Sequence, residues 1–256
     1  MTKQLLLIDG NSIVFRAFFA MHNQMDKFTN KDGLHTAAIY GFKLMLDHVL
    51  QNFKPDAALV AFDAGKVTFR TKMYDDYKGG RNKTPNELTE QIPYVRELIK
   101  DSGLHSYELA NYEADDIIGT LAKQADDAGY KTLIVTGDRD LTQLASENTT
   151  VAVTHKGVTD TEHYTPAHVE EKLGITPRQI IDMKALMGDS SDNYPGVTKI
   201  GEKTAIKLVK QFGSVEELYD HIDDLKKSKM KEHLIEDEEV ARQCKTLATI
   251  LQDAPI

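Results

Sequence analysis

Nine acidic residues stand at five points where the sequence predicts that a strand or loop ends. Carboxylates gathered this densely repel one another, so they share a pocket only when cations hold them there. Carboxylate oxygens suit hard divalent ions, Mg²⁺ or Mn²⁺ above all. Two such ions a few ångströms apart are a common means of cleaving phosphodiesters. The acids that could form such a site are Asp9, Asp63, Glu113, Asp115, Asp116, Asp138, Asp140, Asp189 and Asp192.

Each acidic position also has an ordinary structural explanation. Asp9 and Asp63 follow apolar runs and could cap the helix or turn that comes next. The acids of the segment E-A-D-D at 113–116 could open a helix, where negative charge favours the helix dipole. The segments T-G-D-R-D and G-D-S-S-D-N could be simple turns. Together these explanations are weak, because the acids recur at five strand or loop ends and their sequence neighbours supply too few cations.

The composition is that of an ordinary soluble globular protein, with 41% hydrophobic and 28% charged residues in a chain of 256. No apolar run approaches the length of a membrane span or of a signal-peptide core. The single cysteine, Cys244, rules out an intrachain disulfide and fits a reducing cytoplasm. We therefore predict a cytoplasmic protein that does not associate with a membrane.

The net charge of −9 argues, taken alone, against binding to nucleic acid. However, the nine clustered acids match this whole excess, and basic residues concentrate elsewhere. Between Lys66 and Lys83 there are six basic residues and two acidic ones. A second basic run is Lys199, Lys203, Lys207 and Lys210. The sequence thus indicates an acidic pocket between two basic arms.

Strand and helix patterns alternate along the first two thirds of the chain. The short apolar runs before Asp9, Asp63 and Asp138 are typical of strands buried on both faces of a parallel sheet. Amphipathic helical patterns at Thr36–Leu50 and Ala114–Ala125 separate them. This order predicts an α/β fold with a mainly parallel central sheet flanked by helices. Ligands of such folds bind beyond the carboxyl ends of the strands, where these aspartates fall.

The segment from about 65 to 93 is polar, basic and interspersed with aromatic residues, and it is too long for an ordinary loop. We interpret it as a mobile helical arch over the site. Lys78 and Arg81 could bind the scissile phosphate there, or could simply be solvated. Tyr77 could stack on a base, or could pack the arch against itself.

Beyond about Thr165 the pattern is helical throughout. The glycine-rich link Gly196–Gly201 could expose backbone N–H groups to a duplex phosphate, or could be an ordinary turn between helices. Lys203 and Lys207 then follow on the side of a helix opposite its apolar stripe, which favours DNA contact.

The order of the motifs D-G-N-S, F-D, F-R…Y-K-G-G-R, E-A-D-D, T-G-D-R-D, M-G-D-S-S-D-N and G-V-x-x-I-G-x-K-T-A resembles the 5′-nuclease (flap endonuclease) superfamily. Within it, the chain is most similar to the N-terminal 5′→3′ exonuclease domains of bacterial DNA polymerase I. The resemblance covers nearly the whole chain. It implies a PIN-like nuclease core at residues 1–168, with the arch at about 65–93, and a helix–hairpin–helix region that binds duplex DNA at 169–256.

The resemblance also implies roles for individual residues. All nine acids would be metal carboxylates, although Asp116 could instead lie one shell away from the metal. Lys78 and Arg81 would be catalytic. The chain departs from many relatives at Thr198-Lys199, where they have Pro-Gly beside a hairpin that often holds K⁺. Contacts to DNA would come from Arg16, Arg70, Tyr77, Gly196, Lys199, Gly201, Lys203, Thr204 and Lys207.

The implied function is structure-specific hydrolysis of DNA at a 5′ end or 5′ flap, with primer or flap removal in replication and repair. Two Mg²⁺ ions, replaceable by Mn²⁺, would act in a two-metal-ion mechanism that leaves a 5′-phosphate. One ion would be held by Asp9, Asp63, Glu113 and Asp115, the other by Asp138, Asp140, Asp189 and Asp192. We expect a bacterial, nucleoid-associated protein, either a stand-alone nuclease or the front of a polymerase fused at its C-terminal side.

Two rival functions remain open. A non-catalytic scaffold could recognise branched DNA through the arch and hairpin, but it would tolerate loss of carboxylates, and none is lost. A metal-dependent phosphatase for small substrates would need neither the basic arch nor the lysine stripe.

Overall fold

The computed structural model describes residues 2–21, 27–157 and 159–256, and a six-stranded sheet lies at its centre. The strand order is β3-β2-β1-β4-β5-β6, with every neighbouring pair parallel except β5 and β6. The predicted α/β fold with a mainly parallel sheet is confirmed. The strands are β1 (Gln4–Asp9), β2 (Ala57–Ala61), β3 (His105–Tyr107), β4 (Lys131–Thr136), β5 (Thr149–Lys156) and β6 (Asp160–Tyr164).

Strand register fixes which side chains meet at the edge of the sheet. In β1, Asp9 pairs with Ala61 of β2, two residues before Asp63. On the other side, Ile8 pairs with Val135 of β4, three residues before Asp138. Because these three strands are parallel, the aspartates that follow them emerge at the same edge.

Helices cover both faces of the sheet, as the continuous burial of the last four residues of β1 requires. Leu6 and Ile8 face one layer, which contains α1 (Gly10–Met21), α2 (Ala37–Phe53) and α5 (Ile92–Asp101). Leu7 faces the other, where α6 (Ala114–Asp127) packs together with helices from the C-terminal part of the chain. This second core runs without a break from the sheet into the C-terminal helices.

The arch segment contains two short helices, α3 (Phe69–Met73) and α4 (Asn86–Thr89). Its middle part is docked on the loop that follows Gly188. The backbone N–H of Lys78 donates to the carbonyl of Asp192 at 2.8 Å, and the Asn193 side chain donates to the carbonyl of Asp76 at 2.8 Å. The arch is therefore anchored beside the acidic pocket.

The C-terminal part is helical, as predicted. Its helices are α7 (Pro166–Leu173), α8 (Gln179–Met187), α9 (Glu202–Phe212), α10 (Val215–Asp220), α11 (Lys229–Glu236) and α12 (Glu238–Ala248). Along α9, Ala205, Leu208 and Val209 are buried, whereas Lys203 and Lys207 are exposed, which is the two-sided pattern read from the sequence. Within the described residues, no helix is long and apolar enough to cross a membrane.

Candidate active site

Asp9 lies at the end of β1 and is only 4% exposed. Its carboxylate accepts hydrogen bonds from the Ser12 backbone N–H at 3.0 Å and from the Thr136 hydroxyl at 2.8 Å. The first bond caps the start of α1, so the ordinary explanation for this residue also holds. Burial, reinforced by the nearby charges of Asp63 and Asp138, raises the pKa of Asp9 to about 7. Asp9 thus belongs to a group of carboxylates with too little positive charge around it.

Asp63 joins the end of β2 to the start of α6. Its carboxylate accepts from the Asn11 amide at 2.6 Å and from the backbone N–H of Ala114 at 2.7 Å. The first turn of α6 carries Asp115, whose pKa is raised well above its usual value by burial and by the charges of Asp9 and Asp138. Three strands and one helix therefore bring Asp9, Asp63, Asp115 and Asp138 into one electrostatic group.

A second acidic group surrounds Lys184, which sequence analysis did not single out. The ammonium group of Lys184 bridges the carboxylates of Asp140 and Asp189. Burial and the charge of Asp138 raise the pKa of Asp140 to about 7 despite this lysine. Burial opposes ionisation of Asp189 too, but bonds from Lys184 and Ser191 lower its pKa. In the sequence Lys184 resembles any helical lysine, and its spacing of five residues from Asp189 is not one that places two side chains together on a helix.

The two predicted catalytic cations reach the pocket from the arch. Lys78 donates to a carboxylate oxygen of Glu113 at 2.8 Å, and it has a positive φ of 56°. Arg81 donates to Asp192 at 2.6 Å, and about half of its side chain is exposed. Both cations therefore lie against acids that were predicted to bind metal.

Arg70, which was predicted to contact DNA, lies buried inside the protein, and that contact stays a prediction. Its side chain is 2% exposed and forms a fork with the carboxylate of Asp116, each N–O distance being 2.8 Å. The carboxylate of Asp116 also accepts from the backbone N–H groups of Glu113 and Leu251. All of this bonding leaves Asp116 fully buried and directed at protein, which is the arrangement expected of an acid one shell away from the metal. Its place among the metal carboxylates stays a prediction.

Tyr77 is likewise inside the protein, 5% exposed. Its hydroxyl contacts Asp192 at 2.9 Å and Glu113 at 3.2 Å, and its ring packs beside Tyr194, Cys244 and Leu247. In this arrangement the Tyr77 ring packs the arch against the C-terminal part of the chain, a third possibility beside the two that were weighed from the sequence. Its predicted contact with DNA stays a prediction. The polar, basic composition of the arch segment had favoured an exposed position for the Tyr77 ring.

The acidic groups present oxygen ligands, but their carboxylates do not yet surround a common point. Within the described ranges, no three Asp, Glu, His or Cys side chains converge so as to hold an ion where they stand. Lysine and arginine nitrogens instead contact the carboxylates of Glu113, Asp140 and Asp189. The donor set consists of oxygen, which suits Mg²⁺ or Mn²⁺, and the raised pKa values of Asp9 and Asp115 indicate carboxylates that a cation would stabilise. The residues fit such ions chemically, provided that the lysines withdraw.

The predicted duplex-binding hairpin lies between α8 and α9. Gly196 has a φ of +67°, and a Cβ there would collide with the backbone of Gly188. Lys199 is exposed with a φ of 60°, and the N–H of Thr198 donates to the Asp237 carboxylate at 2.8 Å. Gly201 precedes the first turn of α9, which holds the half-buried Thr204.

Arg16 has partners within the protein. Its guanidinium donates to backbone carbonyls of β5 and of the residues that follow it, including Thr154 at 3.1 Å and Gly157 at 3.2 Å. The predicted contact of Arg16 with DNA stays a prediction.

Comparison with known families decides the classification of the chain. Residues 4–174 match the family described as "5′-3′ exonuclease, N-terminal resolvase-like domain", and residues 175–256 match "5′-3′ exonuclease, C-terminal SAM fold". The chain belongs to the 5′-3′ exonuclease family. The resemblance inferred from the motifs is thereby confirmed.

Individual members of the 5′-3′ exonuclease family align with nearly the whole chain. DNA polymerase I of Streptococcus pneumoniae R6 is 60% identical over 254 residues, which are 99% of this chain and 29% of that protein. DNA polymerase I of Bacillus subtilis 168 is 57% identical over 254 residues, 99% of this chain and 28% of that protein. The chain therefore spans less than a third of the length of these relatives.

Solved structures share the fold. The bacteriophage T5 5′-exonuclease with bound divalent zinc ions has a TM-score of 0.77 at 23% identity, covering 96% of this chain and 89% of that one. A catalytic core of Rad2 in complex with a DNA substrate has a TM-score of 0.56 at 17% identity, covering 98% of this chain and 81% of that one. At these identities the likeness establishes the architecture alone.

Proposed function

We propose that this 5′-3′ exonuclease family member hydrolyses DNA phosphodiesters at a 5′ end or 5′ flap beside a duplex junction. One observation carries the proposal: separate strands and loops deliver crowded carboxylates to one edge of the sheet, where two cations of the arch meet them. Cleavage would leave a 5′-phosphate and a 3′-hydroxyl.

We assign divalent-ion binding to two overlapping groups of acids. The first contains Asp9, Asp63 and Asp115, the second contains Asp140 and Asp189, and Asp138 lies between them because its charge acts on both. Glu113 and Asp192 border these groups through Lys78 and Arg81. Bound Mg²⁺, or Mn²⁺ in its place, would activate water and stabilise the leaving oxygen. A K⁺ ion at the hairpin stays a prediction.

Lys78 and Arg81 are the side chains that we expect to draw the scissile phosphate into the pocket. Each now neutralises an acid, Glu113 or Asp192 respectively. A divalent ion would take over that neutralising role. The freed ammonium and guanidinium could then bind phosphate oxygens and offset the extra negative charge of the transition state.

The C-terminal region is suited to hold the duplex. Lys199, Lys203 and Lys207 are exposed on the hairpin and on the helix that follows it. Such contacts would recognise phosphates rather than bases, so substrate choice would come from shape and binding would weaken steeply with salt. We propose residues 1–168 as the catalytic core and 169–256 as this duplex-binding region.

The cellular role follows from the relatives and is likewise a proposal. The two relatives described above are DNA polymerase I proteins of bacteria. We infer that the chain serves as the 5′-nuclease part of such a polymerase in the bacterial cytoplasm, removing primers or flaps. The two rival functions fit less well, because a scaffold needs no crowded carboxylates and a small-molecule phosphatase needs no lysine-lined hairpin.

The direct test is cleavage of a duplex with a 5′ flap, labelled at both ends of the flapped strand. In Mg²⁺ we expect cuts near the junction, and EDTA should abolish them. The two labels locate the cut and separate flap cleavage from stepwise release of nucleotides. Tight binding to the flap without cutting, in both Mg²⁺ and Mn²⁺, would contradict the proposal and favour the scaffold.

A further inference from the structure

We propose that residues 247–254, here called the C-terminal strap, set the position of Glu113 through Arg70, so that docking of the strap and binding of divalent ions strengthen each other. In this scheme Arg70 is a positioning residue, and it would not touch the substrate. The inference rests on the proposed function in taking Glu113 as part of the metal-binding pocket.

The side chain of Arg70 forms hydrogen bonds with both the strap and the acids of the pocket. Its Nε donates to the carbonyl of Leu247 at 3.0 Å, and Nη2 donates to the carbonyl of Thr249 at 2.6 Å. Its Nη1 donates to Glu113 at 3.1 Å and to Asp116 at 2.8 Å. A planar guanidinium has fixed donor directions, so the two strap carbonyls determine where the fork faces the acids.

The protein holds the strap in return by its backbone. The N–H of Leu251 donates to Asp116 at 2.9 Å. The side chain of Gln143 bonds the strap twice, accepting from Ile250 N–H at 2.9 Å and donating to the Ala248 carbonyl at 3.0 Å. Thr120 accepts from Ala254 N–H at 3.0 Å. The strap is thus attached to α6 and to the turn after β4.

Close packing adds to these bonds at Gly119 of α6. A Cβ at this position would lie 2.6 Å from the carbonyl oxygen of Leu251 and 2.8 Å from a methyl group of Ile250. The strap therefore rests directly on the helix whose first turn carries Asp115, and it can do so because residue 119 has no side chain.

Loss of the strap would change the pocket. Arg70 would keep its charge but lose two of its acceptors in a buried place, where unpaired donors are costly. The guanidinium would turn towards water or other acceptors, and Glu113 and Asp116 would move with it. Because coupling between two binding events is reciprocal, an ion that favours the present position of Glu113 must also favour the docked strap.

The experiment measures both directions of the coupling. In the first arm, Gly119→Ala and Gln143→Leu loosen the strap without altering a carboxylate. Gln51→Leu is the control, because the Gln51 side chain is exposed on α2, outside the pocket and the arch. Calorimetric titration with Mn²⁺, without DNA, should show affinity lowered about tenfold in both variants, a typical size for such coupling. The control should match the wild type. Cleavage by the variants should recover as Mg²⁺ is raised.

The second arm uses the wild-type chain alone. Addition of Mg²⁺ should slow amide hydrogen exchange at Ile250, Leu251 and Ala254 by about the same factor, tenfold. Unchanged hydrogen exchange at these amides would overturn the coupling. Unchanged Mn²⁺ affinity in either variant, provided that the variant folds, would overturn it too. Neither readout requires cleavage. A chain that shows the coupling but cuts no flap would refute the proposed function alone, whereas normal cutting with uncoupled metal affinity would refute this inference alone.

Discussion

Removal of the Lys184 ammonium should destabilise the protein when divalent ions are absent and should matter little when they are present. Lys184 bridges Asp140 and Asp189, and the three side chains are 16%, 22% and 8% exposed. Lys184→Met keeps most of the aliphatic volume and deletes the charge. Two carboxylates then face each other in a partly desolvated place with no cation between them.

The size of the loss follows from this burial. Removing one partner of a buried ion pair costs about 3–5 kcal/mol. The cost is smaller here because the group retains some exposure and because Asp140, with a pKa raised to about 7, can take up a proton near neutral pH. We therefore expect the unfolding free energy to fall by about 2 kcal/mol in EDTA. For a chain of this length that lowers the Tm by roughly 4–8 °C.

Scanning calorimetry in EDTA and in saturating Mg²⁺ tests the reasoning. An ion at one hundred times its Kd stabilises by about 2.7 kcal/mol, enough to offset the missing ammonium. The control is Lys43→Met, since the Lys43–Asp47 pair is about half exposed and should contribute little under either condition. Equal Tm losses for Lys184→Met in EDTA and in Mg²⁺ would show that Lys184 does not occupy the place of a cation.

Three further outcomes are expected. Asp115→Asn should abolish flap cleavage while keeping salt-sensitive DNA binding, and cleavage at the wild-type rate would refute its assignment to metal. The double substitution Lys203→Gln and Lys207→Gln should reduce the slope of log affinity against log salt by about 2, since each phosphate contact contributes about 0.9. Fluorescence anisotropy titrations with duplex DNA measure this slope. An unchanged slope would show that the duplex binds elsewhere. The hydrogen bond with Glu162 raises the pKa of His168 in the folded protein. The stabilisation from this histidine is therefore complete at pH values below its pKa in the unfolded chain, and it is lost as the pH rises through its pKa in the folded protein. The Tm difference between wild type and His168→Gln should therefore shrink from pH 6 to pH 9, and a constant difference would contradict the assignment.

The place where the central strands end, and where the acids gather, could be predicted because it depends on local sequence patterns. Continuous apolar runs such as the one before Asp9 specify buried parallel strands, and the residue after each run must emerge at the edge where ligands bind. By contrast, β3 and β6 are short, polar strands at the two sides of the sheet. The outermost strands of a sheet bury little surface, so their sequences contain no apolar run by which they could be recognised.

The counterions of the pocket could not be predicted because they come from distant parts of the chain. Arg70 belongs to a basic stretch that resembles a solvated arm, yet its partners Asp116 and Leu247 lie 46 and 177 residues away. Lys184 meets Asp140 only because α8 packs against the turn after β4. Whether a charged side chain is buried depends on such tertiary partners, which local periodicity does not encode.

These counterions also bear on how many metal ions the pocket requires. Within the part of the chain that the structure describes, four cations form ion pairs with these nine acids, namely Arg70, Lys78, Arg81 and Lys184. Set against nine acids, they leave five negative charges when every carboxylate is ionised. One divalent ion would leave three of these charges. Burial, reinforced by neighbouring carboxylates, already raises the pKa values of Asp9, Asp115 and Asp140 in the folded pocket. Two divalent ions would leave a single negative charge, so the charge count of these acids and cations is compatible with the proposed two-ion stoichiometry.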